Sequence, residues 1–239
     1  MCAHVSRIGA RAGVVTGLAS EVIVASALVG QDALSVRVVC AGASGMRAAA
    51  LARELVEEGV KALLSFGIAG ALVPDLDCGE LIVAETVRGS DGRDYPCNGD
   101  WHRTLAARLS EAGLTHRSGA LLGTSRVLRD AADKQAAHRD SGCLAVDMES
   151  GAVATVAAEA GLPFLAVRAV ADRADDALPA LVEHAVKPDG MPAVGRTLAA
   201  MLKNPTQIPA TLRLARRSNL ALASLRRLDP MKDALFGGF

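Results

Sequence analysis

Short apolar runs alternate along this chain with longer Ala-rich segments that carry charged residues. Six of the runs have the length and composition of buried strands: 13–15, 36–40, 62–66, 81–87, 119–122 and 164–170. Three of the segments are predicted as helices: 46–58, 100–112 and 150–160. Strands that alternate with helices of this length form βαβ units, because a parallel strand needs a long crossover connection. The pattern therefore predicts an α/β fold, with a single three-layer domain in which helices flank a central mixed, mainly parallel sheet.

Composition excludes several other classes of protein. The chain has 239 residues, of which 51% are hydrophobic and 22% charged, enough for one large core. A disordered tail, a collagen-like chain and a small disulfide-stabilised protein are excluded on these grounds. The formal net charge is zero, with 26 basic and 26 acidic residues, so we expect no nucleic-acid partner.

The cysteines and the N-terminal region bear on the compartment. Five cysteines are scattered, with no Cys-x-x-Cys pair and no histidine at zinc-site spacing. We interpret them as reduced thiols of a cytoplasmic protein and expect neither a metal nor an organic cofactor. The apolar stretch after Arg7 and Arg11 reaches Glu21 too soon for a signal peptide, and no apolar run approaches the roughly 18 residues that span a membrane.

Acidic residues follow three of the predicted elements. Glu21 comes after the first strand, Asp147 and Glu149 precede the helix at 150–160, and Asp172 follows an apolar strand. Because ligands of parallel sheets bind outside the carboxyl ends of the strands, these carboxylates could meet in one acid/base site. Each of them taken alone is better explained as a helix cap or a surface charge, and the three together point more specifically to a site.

Two glycine-containing segments, 42–45 and 67–70, follow predicted strands and are predicted as turns. Glycine lets the backbone approach a ligand closely, and the N-terminus of a helix attracts anions. Neither segment fits a dinucleotide-binding or P-loop fingerprint. Arg47 lies in the first turn of the following helix, where it would either assist an anion site or remain a solvated surface charge.

Four short motifs together resemble one enzyme family. Residues 146–149 read VDME and residues 168–172 read RAVAD, which is similar to the paired signature of nucleoside phosphorylases and of methylthioadenosine/S-adenosylhomocysteine nucleosidases. Residues 13–21 (GVVTGLASE) resemble the family's opening strand with its acidic residue, and residues 65–72 (SFGIAGAL) resemble its ligand-binding turn. The motifs occur in the family's order.

The resemblance implies a role for each matching residue. Asp172 matches the general acid that protonates purine N7, which requires a raised pKa near neutral pH. Glu149 matches the residue that hydrogen-bonds the ribose hydroxyls, and Met148 would pack against the ribose. Glu21 matches the nucleosidase residue that activates water. The family's serine before the general acid is replaced by Ala171.

The remaining implied contacts concern the base and the nucleophile. The purine would be contacted by Phe66, Gly67, Val127 and Asp147, with Val127 standing where the family often has a stacking phenylalanine. The phosphate or nucleophile side would be formed by Thr16, Ser44, Gly45 and Arg47. Inorganic phosphate is the expected co-substrate if the reaction is phosphorolysis, and a homo-oligomer is expected.

Residues 184–228 resemble the hopanoid-associated phosphorylase subfamily. This resemblance implies a lipid-linked substrate, adenosylhopane, cleaved by phosphorolysis to adenine and a sugar 1-phosphate in hopanoid biosynthesis. Three alternatives stay open. They are hydrolysis with water activated by Glu21, the same chemistry on methylthioadenosine or S-adenosylhomocysteine, and a nucleoside-binding protein that has lost catalysis.

Charge is unevenly distributed along the chain. Residues 190–228 contain seven basic and no acidic residues, and from Pro209 the pattern predicts a basic, partly amphipathic helix. Such a helix would either pack on its own domain or a partner subunit, or lie on an anionic membrane surface. We therefore divide the chain into an N-terminal extension (1–11), a catalytic domain (12–203) and a basic helical C-terminal segment (204–239).

Overall fold

The structure is a computed structural model that describes residues 12–30, 35–179, 187, 190, 191, 193 and 205–239. The predicted N-terminal extension, 1–11, lies outside the described residues, as does most of the segment 180–204.

One mixed sheet forms the centre of the fold. Its strands are β1 (Ala12–Thr16), β2 (Val36–Cys40), β3 (Ala62–Ala71), β4 (Leu81–Arg88), β5 (Asp94–Pro96), β6 (His116–Gly123), β7 (Ala145–Asp147) and β8 (Phe164–Asp172). The helices are α1 (Ala19–Val29), α2 (Gly45–Glu57), α3 (Gly99–Glu111), α4 (Ala131–Ser141), α5 (Ser150–Ala160), α6 (Ile208–Arg226) and α7 (Lys232–Gly237).

Most neighbouring strands run parallel, and part of the sheet closes on itself. The strand order is β2-β1-β3-β7-β6-β4-β5, and β8 pairs with both β3 and β4. The strands β3, β7, β6, β4 and β8 therefore form a closed ring, in which β7 is antiparallel to β3 and β8 is antiparallel to β4. The predicted α/β class with a mixed, mainly parallel sheet is confirmed, while the closure was not anticipated.

The strand β3 extends further than the sequence suggests. Residues 67–70 were predicted as a turn, and this prediction is wrong: they continue β3 and pair with β8, with a register shift between Ala69 and Gly70. The backbone donors and acceptors of these residues are satisfied by the neighbouring strands rather than by a turn. The two glycines thus lie within the wall of the ring, where they bring side chains of other elements close to the backbone.

The C-terminal segment packs on the rest of the domain. The buried residues of α6, Ala221, Leu222 and Leu225, lie in its C-terminal half, and α6 contacts β8 and β3 of the sheet. The outer face of α6 exposes Leu212 (54%) and Leu220 (56%). None of the described helices has the length and apolar character needed to cross a membrane.

Trp101 on α3 anchors the chain end. It is fully buried, and its indole Nε1 donates to the carbonyl oxygens of Ala234 (2.9 Å) and Leu235 (3.2 Å) in α7. Its ring also lies against Phe239, with ring centroids 5.0 Å apart. Because Trp101 is the chain's single tryptophan, its fluorescence reports directly on the docking of the C-terminus.

We predict that deleting residues 229–239 shifts the Trp101 emission maximum to the red and lowers the free energy of unfolding by about 3 kcal/mol or more, since it uncovers several apolar side chains. Emission spectra and urea unfolding measure both effects. The variant Leu212→Ser, at an exposed position of α6, should change neither. An unshifted emission maximum in the deletion would contradict this account of the C-terminus.

Candidate active site

Glu21 lies in the first turn of α1, and three backbone N–H groups hold its carboxylate. Oε2 accepts hydrogen bonds from Gly17 (2.7 Å) and Leu18 (2.8 Å), and Oε1 accepts one from Ile68 of β3 (2.8 Å). A Cβ added to Gly67 would lie 2.5 Å from the carboxyl carbon of Glu21, so only glycine leaves room here. The carboxylate is therefore fixed where the loop after β1 meets β3.

Glu149 lies beside Glu21, across the same loop. It is the N-cap residue of α5 and is 6% exposed. A Cβ added to Gly17 would lie 2.7 Å from its Oε1, so the loop after β1 touches the carboxylates of both Glu21 and Glu149. The start of α2 approaches as well, because a Cβ on Gly45 would lie 3.0 Å from the carbonyl oxygen of Met148. The loop after β1 thus contacts both acids, and the start of α2 lies against the residue before Glu149.

A buried guanidinium lies behind these two carboxylates. Arg168 of β8 is 1% exposed, and its Nε donates to Asp147 at 3.0 Å. Its Nη2 donates to the hydroxyls of Ser65 (2.7 Å) and Ser150 (2.9 Å) and lies 4.0 Å from Oε2 of Glu149. This network joins β3, β7, β8 and α5 by buried charged and polar contacts.

The network is short of positive charge, which sets the proton affinity of each acid. Burial alone would raise the pKa of Asp147, but the Arg168 guanidinium and the N–H donors around it outweigh burial and hold the pKa below its ordinary value. Glu149 has the opposite balance: burial, together with repulsion from Asp147, raises its pKa to about 8. Burial also raises the pKa of Glu21, against the opposing effect of Arg168.

Asp172 is the last residue of β8 and faces Gly70, where an added Cβ would lie 3.0 Å from its Oδ2. It forms an ion pair with Lys134 of α4, whose side chain is buried. Burial raises the pKa of Asp172 above its ordinary value, and the Lys134 ammonium opposes this rise. The direction of this shift is the one that a general acid needs.

A cavity of about 290 Å³ adjoins Asp172, between the segment after β8 and the helix α6. Its lining includes the apolar side chains of Leu178 and Pro179 and the guanidinium groups of Arg213 and Arg217. The amide of Leu178 donates to the carbonyl of Arg129, which joins this segment to the loop between β6 and α4. A planar base could occupy this space beside Asp172.

Two of the residues predicted to contact the purine, Phe66 and Asp147, have protein partners in the interior. Phe66 is fully buried in the hydrophobic core. Because side chains alternate along a strand and both Ser65 and Gly67 face the acidic network, Phe66 points to the other side of β3. The carboxylate of Asp147 accepts bonds from the backbone of Glu149 (2.8 Å) and from Arg168, so it binds the protein interior rather than a base.

The predicted phosphate-side residues are only partly brought together. Thr16 is fully buried and donates its hydroxyl to Val39 (3.0 Å), so the structure turns it away from any ligand. Ser44 caps α2 by accepting from the amide of Arg47 (3.4 Å), and Gly45 lies against Met148, at the edge of the site.

The other predicted contacts lie around the same edge. Met148, which lies between Asp147 and Glu149 in the sequence, is half-buried, and Gly67 packs on Glu21. Val127 is half-buried in the loop between β6 and α4, whose first residue, Thr124, donates its amide to the carbonyl of Asp147 at 2.9 Å.

Sequence reasoning missed the side chains that support the acids. Arg168 stands within the RAVAD motif, and a lone charge inside a strand that is otherwise apolar is a signal that could have identified it. Ser65, Ser150 and Lys134 carry no such signal, because their importance comes from contacts between elements distant in sequence. Within the described residues, no group of three or more His, Cys, Asp or Glu could hold a metal ion.

Comparison with known proteins identifies a related family. Residues 24–204 match the sequence profile of the Phosphorylase superfamily. A DeoD-type purine nucleoside phosphorylase from Geobacillus kaustophilus (strain HTA426) is 32% identical over 130 residues, which cover 50% of this chain and 55% of that protein. The chain thus spans about half the length of this curated relative.

Solved structures share the fold across nearly the whole chain. The methylthioadenosine/S-adenosylhomocysteine nucleosidase of Helicobacter pylori, in complex with a substituted pyrrolidinol, superposes with a TM-score of 0.73 and 15% identity over 94% of this chain and 97% of that one. Futalosine hydrolase of the same species gives a TM-score of 0.73 and 14% identity over 95% and 98%. At these identities the likeness establishes the fold.

The raised pKa of Glu149 predicts how stability depends on pH. A carboxyl group whose pKa rises from 4.5 to about 8 on folding binds its proton more tightly in the native state, so stability falls as pH rises between these values. We expect Glu149→Gln, which mimics the protonated acid, to flatten this decline and to raise Tm at pH 9 by about 3–6 °C. Thermal melts of both chains from pH 5 to pH 9 measure how Tm depends on pH.

The matched control is Glu159→Gln, at an exposed position of the same helix. It should keep the pH dependence of the unsubstituted chain. A Glu149→Gln chain whose Tm declines with pH as steeply as before would show that Glu149 is ionised throughout.

Proposed function

This chain belongs to the Phosphorylase superfamily, and we propose that it cleaves the N-glycosidic bond of an adenine nucleoside and releases adenine. One observation above all supports this proposal. Two buried carboxyl groups, Glu21 and Glu149, face each other across Gly17, and a third, Asp172, lies farther along β3 beside Gly70. Cleavage of this bond needs a proton at the base and negative charge at the sugar, and the site supplies both.

The proposed mechanism assigns one task to each acid. As the bond between C1′ and N9 breaks, its electron pair moves onto the base, and Asp172 gives its proton to N7. The ribose hydroxyls are bound by Glu149, whose carboxyl also lies close to the positive charge that develops on the sugar. Glu21 accepts the proton of the attacking water as its oxygen bonds to C1′. Burial raises the pKa of Glu21, which brings this base closer to neutral pH.

Water is the nucleophile that the described residues favour. Asp147 occupies the Arg168 guanidinium, and a carboxylate at Glu21, which already accepts three backbone N–H groups, would repel a phosphate dianion. Thr16, one of the residues predicted to bind phosphate, donates its hydroxyl into the protein interior. Hydrolysis therefore replaces phosphorolysis as the leading proposal.

Phosphorolysis is the second candidate, and one observation favours it. The N-terminus of α2, capped by Ser44 and with Arg47 in its first turn, lies next to the acidic site through Gly45. A helix N-terminus binds anions through its free N–H groups and its dipole. Inorganic phosphate would then be the co-substrate and a sugar 1-phosphate the product.

The finer proposal for the substrate is adenosylhopane, in hopanoid biosynthesis. It is supported by the resemblance of residues 184–228, much of which lies outside the described residues. The exposed side chains of Ile208, Leu212 and Leu220 on α6, with Arg213 and Arg216 beside them, would let this face contact an anionic membrane that holds the lipid substrate. Methylthioadenosine or S-adenosylhomocysteine is the alternative substrate, and we also propose a homo-oligomer.

An adenine-release assay tests nucleophile and substrate together. Adenosylhopane in anionic vesicles and free methylthioadenosine are each supplied with and without inorganic phosphate. We expect release from adenosylhopane at a rate independent of phosphate, with a free sugar as the second product. Formation of a sugar 1-phosphate only when phosphate is present would establish phosphorolysis instead, and release from methylthioadenosine alone would overturn both the lipid substrate and the membrane contact.

The role of Asp172 is tested by Asp172→Asn, which keeps the shape of the side chain but removes its proton donor. We expect kcat to fall by about 10²–10⁴-fold, the usual contribution of a general acid, while the nucleoside still binds. Asp100→Asn, an exposed position on α3, is the matched control and should retain full activity. Unchanged turnover in Asp172→Asn would refute the assignment, and a chain that binds nucleosides but never releases adenine would be a binding protein.

A further inference from the structure

Lys134 is a buried cation that the proposed mechanism does not yet use. It lies in the first turn of α4 with its side chain 1% exposed. Its ammonium forms an ion pair with the carboxylate of Asp172 and donates to the carbonyl oxygens of Arg173 (2.7 Å) and Asp176 (3.3 Å). These three acceptors match the three protons of an ammonium group, so the buried charge is fully satisfied.

The surroundings of Lys134 are unusual for a structural lysine. All eleven residues of α4 are described, and Lys134 alone among them is buried. A helix held in place only for packing would bury an apolar side chain at this position, since removing an ammonium from water costs several kcal/mol unless it is paired. The one buried residue of α4 is instead a charge directed at Asp172, while Ala137 packs on a small apolar cluster at partial burial.

We propose that Lys134 is a positioning residue for Asp172, which it holds at the end of β8 and stabilises as the carboxylate formed on proton transfer. The inference rests on the proposed function, because it assigns Asp172 the task of general acid. Lys134 itself touches neither base nor sugar in this account. It acts through the carboxyl group of Asp172, which contacts the base in the proposed mechanism.

The proton balance of the step explains why a fixed cation helps. The step starts from the protonated form of Asp172, which burial favours and the ammonium disfavours, and the proton moves to N7 of the base as the glycosidic electron pair moves onto the purine. The carboxylate that remains is paired with the side chain of Lys134. A charge already in place needs no reorganisation when the carboxylate forms, so the pair favours proton transfer.

Several charged or titratable groups surround this pair, and their effects oppose one another. Burial raises the pKa of Asp172, Lys134 lowers it from α4, Asp176 raises it from the segment after β8, and Arg217 lowers it from α6. The adjacent cavity brings Asp175 and Arg213 to the same region, while Arg173 and Cys78 complete the surroundings. Among these groups only Lys134 forms an ion pair with Asp172.

Two neutral substitutions test the proposal through pH. Lys134→Met removes the charge, and Lys134→Gln removes it but keeps a donor for the backbone carbonyls. Because Asp172 must be protonated to act, activity is lost as pH rises through its pKa, and removing the cation raises that pKa. We expect kcat to fall about 10²-fold and the basic limb of the kcat/KM profile to move to higher pH in both variants. Arg139→Met, exposed on the same helix, should keep the original profile.

A second measurement does not depend on turnover. Carbon-13 NMR of chains labelled at the aspartate carboxyl groups, with Asp172→Asn to assign the resonance, follows the titration of Asp172 directly. We expect its midpoint to rise in Lys134→Met and Lys134→Gln. An unchanged midpoint and an unmoved basic limb in folded variants would overturn the proposal, and so would the failure of both neutral variants to fold, because Lys134 would then serve the fold alone.

The two measurements separate this inference from the proposed function. A chain that releases no adenine but whose Asp172 titration moves on loss of Lys134 would reject the enzymatic function and retain the coupling of the two groups. Adenine release together with an unmoved Asp172 titration would support the enzymatic function and reject the coupling of the two groups.

Discussion

Arg168 provides the positive charge that allows several carboxylates to share the interior of this fold. Its guanidinium is almost fully buried, donates to Asp147 and to the hydroxyls of Ser65 and Ser150, and lies within 4.0 Å of Glu149. A buried carboxylate without such a partner would neutralise or disrupt the core. Because one cation serves more than one acid, the acids differ in proton affinity, and this difference is what acid and base catalysis requires.

Backbone contacts complete the arrangement that Arg168 makes possible. Glycine at positions 17, 67 and 70 lets the carboxyl groups of Glu149, Glu21 and Asp172 each lie directly against a neighbouring loop or strand. Ala43, in the loop after β2, adopts a positive φ of 52°, a conformation that costs energy for a residue with a Cβ. Its amide donates to the carbonyl of Gly17, so the strained loop is tied to the one that touches both acids.

The sequence predicted those features that depend on local pattern. Strand and helix periodicity gave the α/β class, and residues 150–160 form the predicted helix with the same limits. The motif residues Glu21 and Glu149 do lie together, because β7 runs antiparallel to β3 and brings Glu149 back to the loop after β1. Pattern could not show that β3 runs on through residues 67–70, since that depends on pairing with a distant strand.

Contacts between distant elements also explain the errors about individual side chains. Phe66 was expected to contact the base but packs in the core on the opposite face of β3, and the face of a strand toward a ligand is fixed only by its neighbours. Lys134 belongs to a polar helix in which no periodicity distinguishes the buried residue from the exposed ones. The C-terminal helix, whose basic composition stands out, proved to have one face that packs on β8 and another that is exposed.

A crystal structure with an uncleavable adenosine analogue, in which carbon joins the base to the ribose, tests the central claim most directly. That claim is that the acids gathered around Arg168 form one nucleoside site. We predict that the ribose hydroxyls lie within hydrogen-bond distance of Glu149, that Asp172 faces N7 of the base, and that a water molecule lies between Glu21 and C1′. A nucleoside bound elsewhere, or with its base remote from Asp172, would contradict the account.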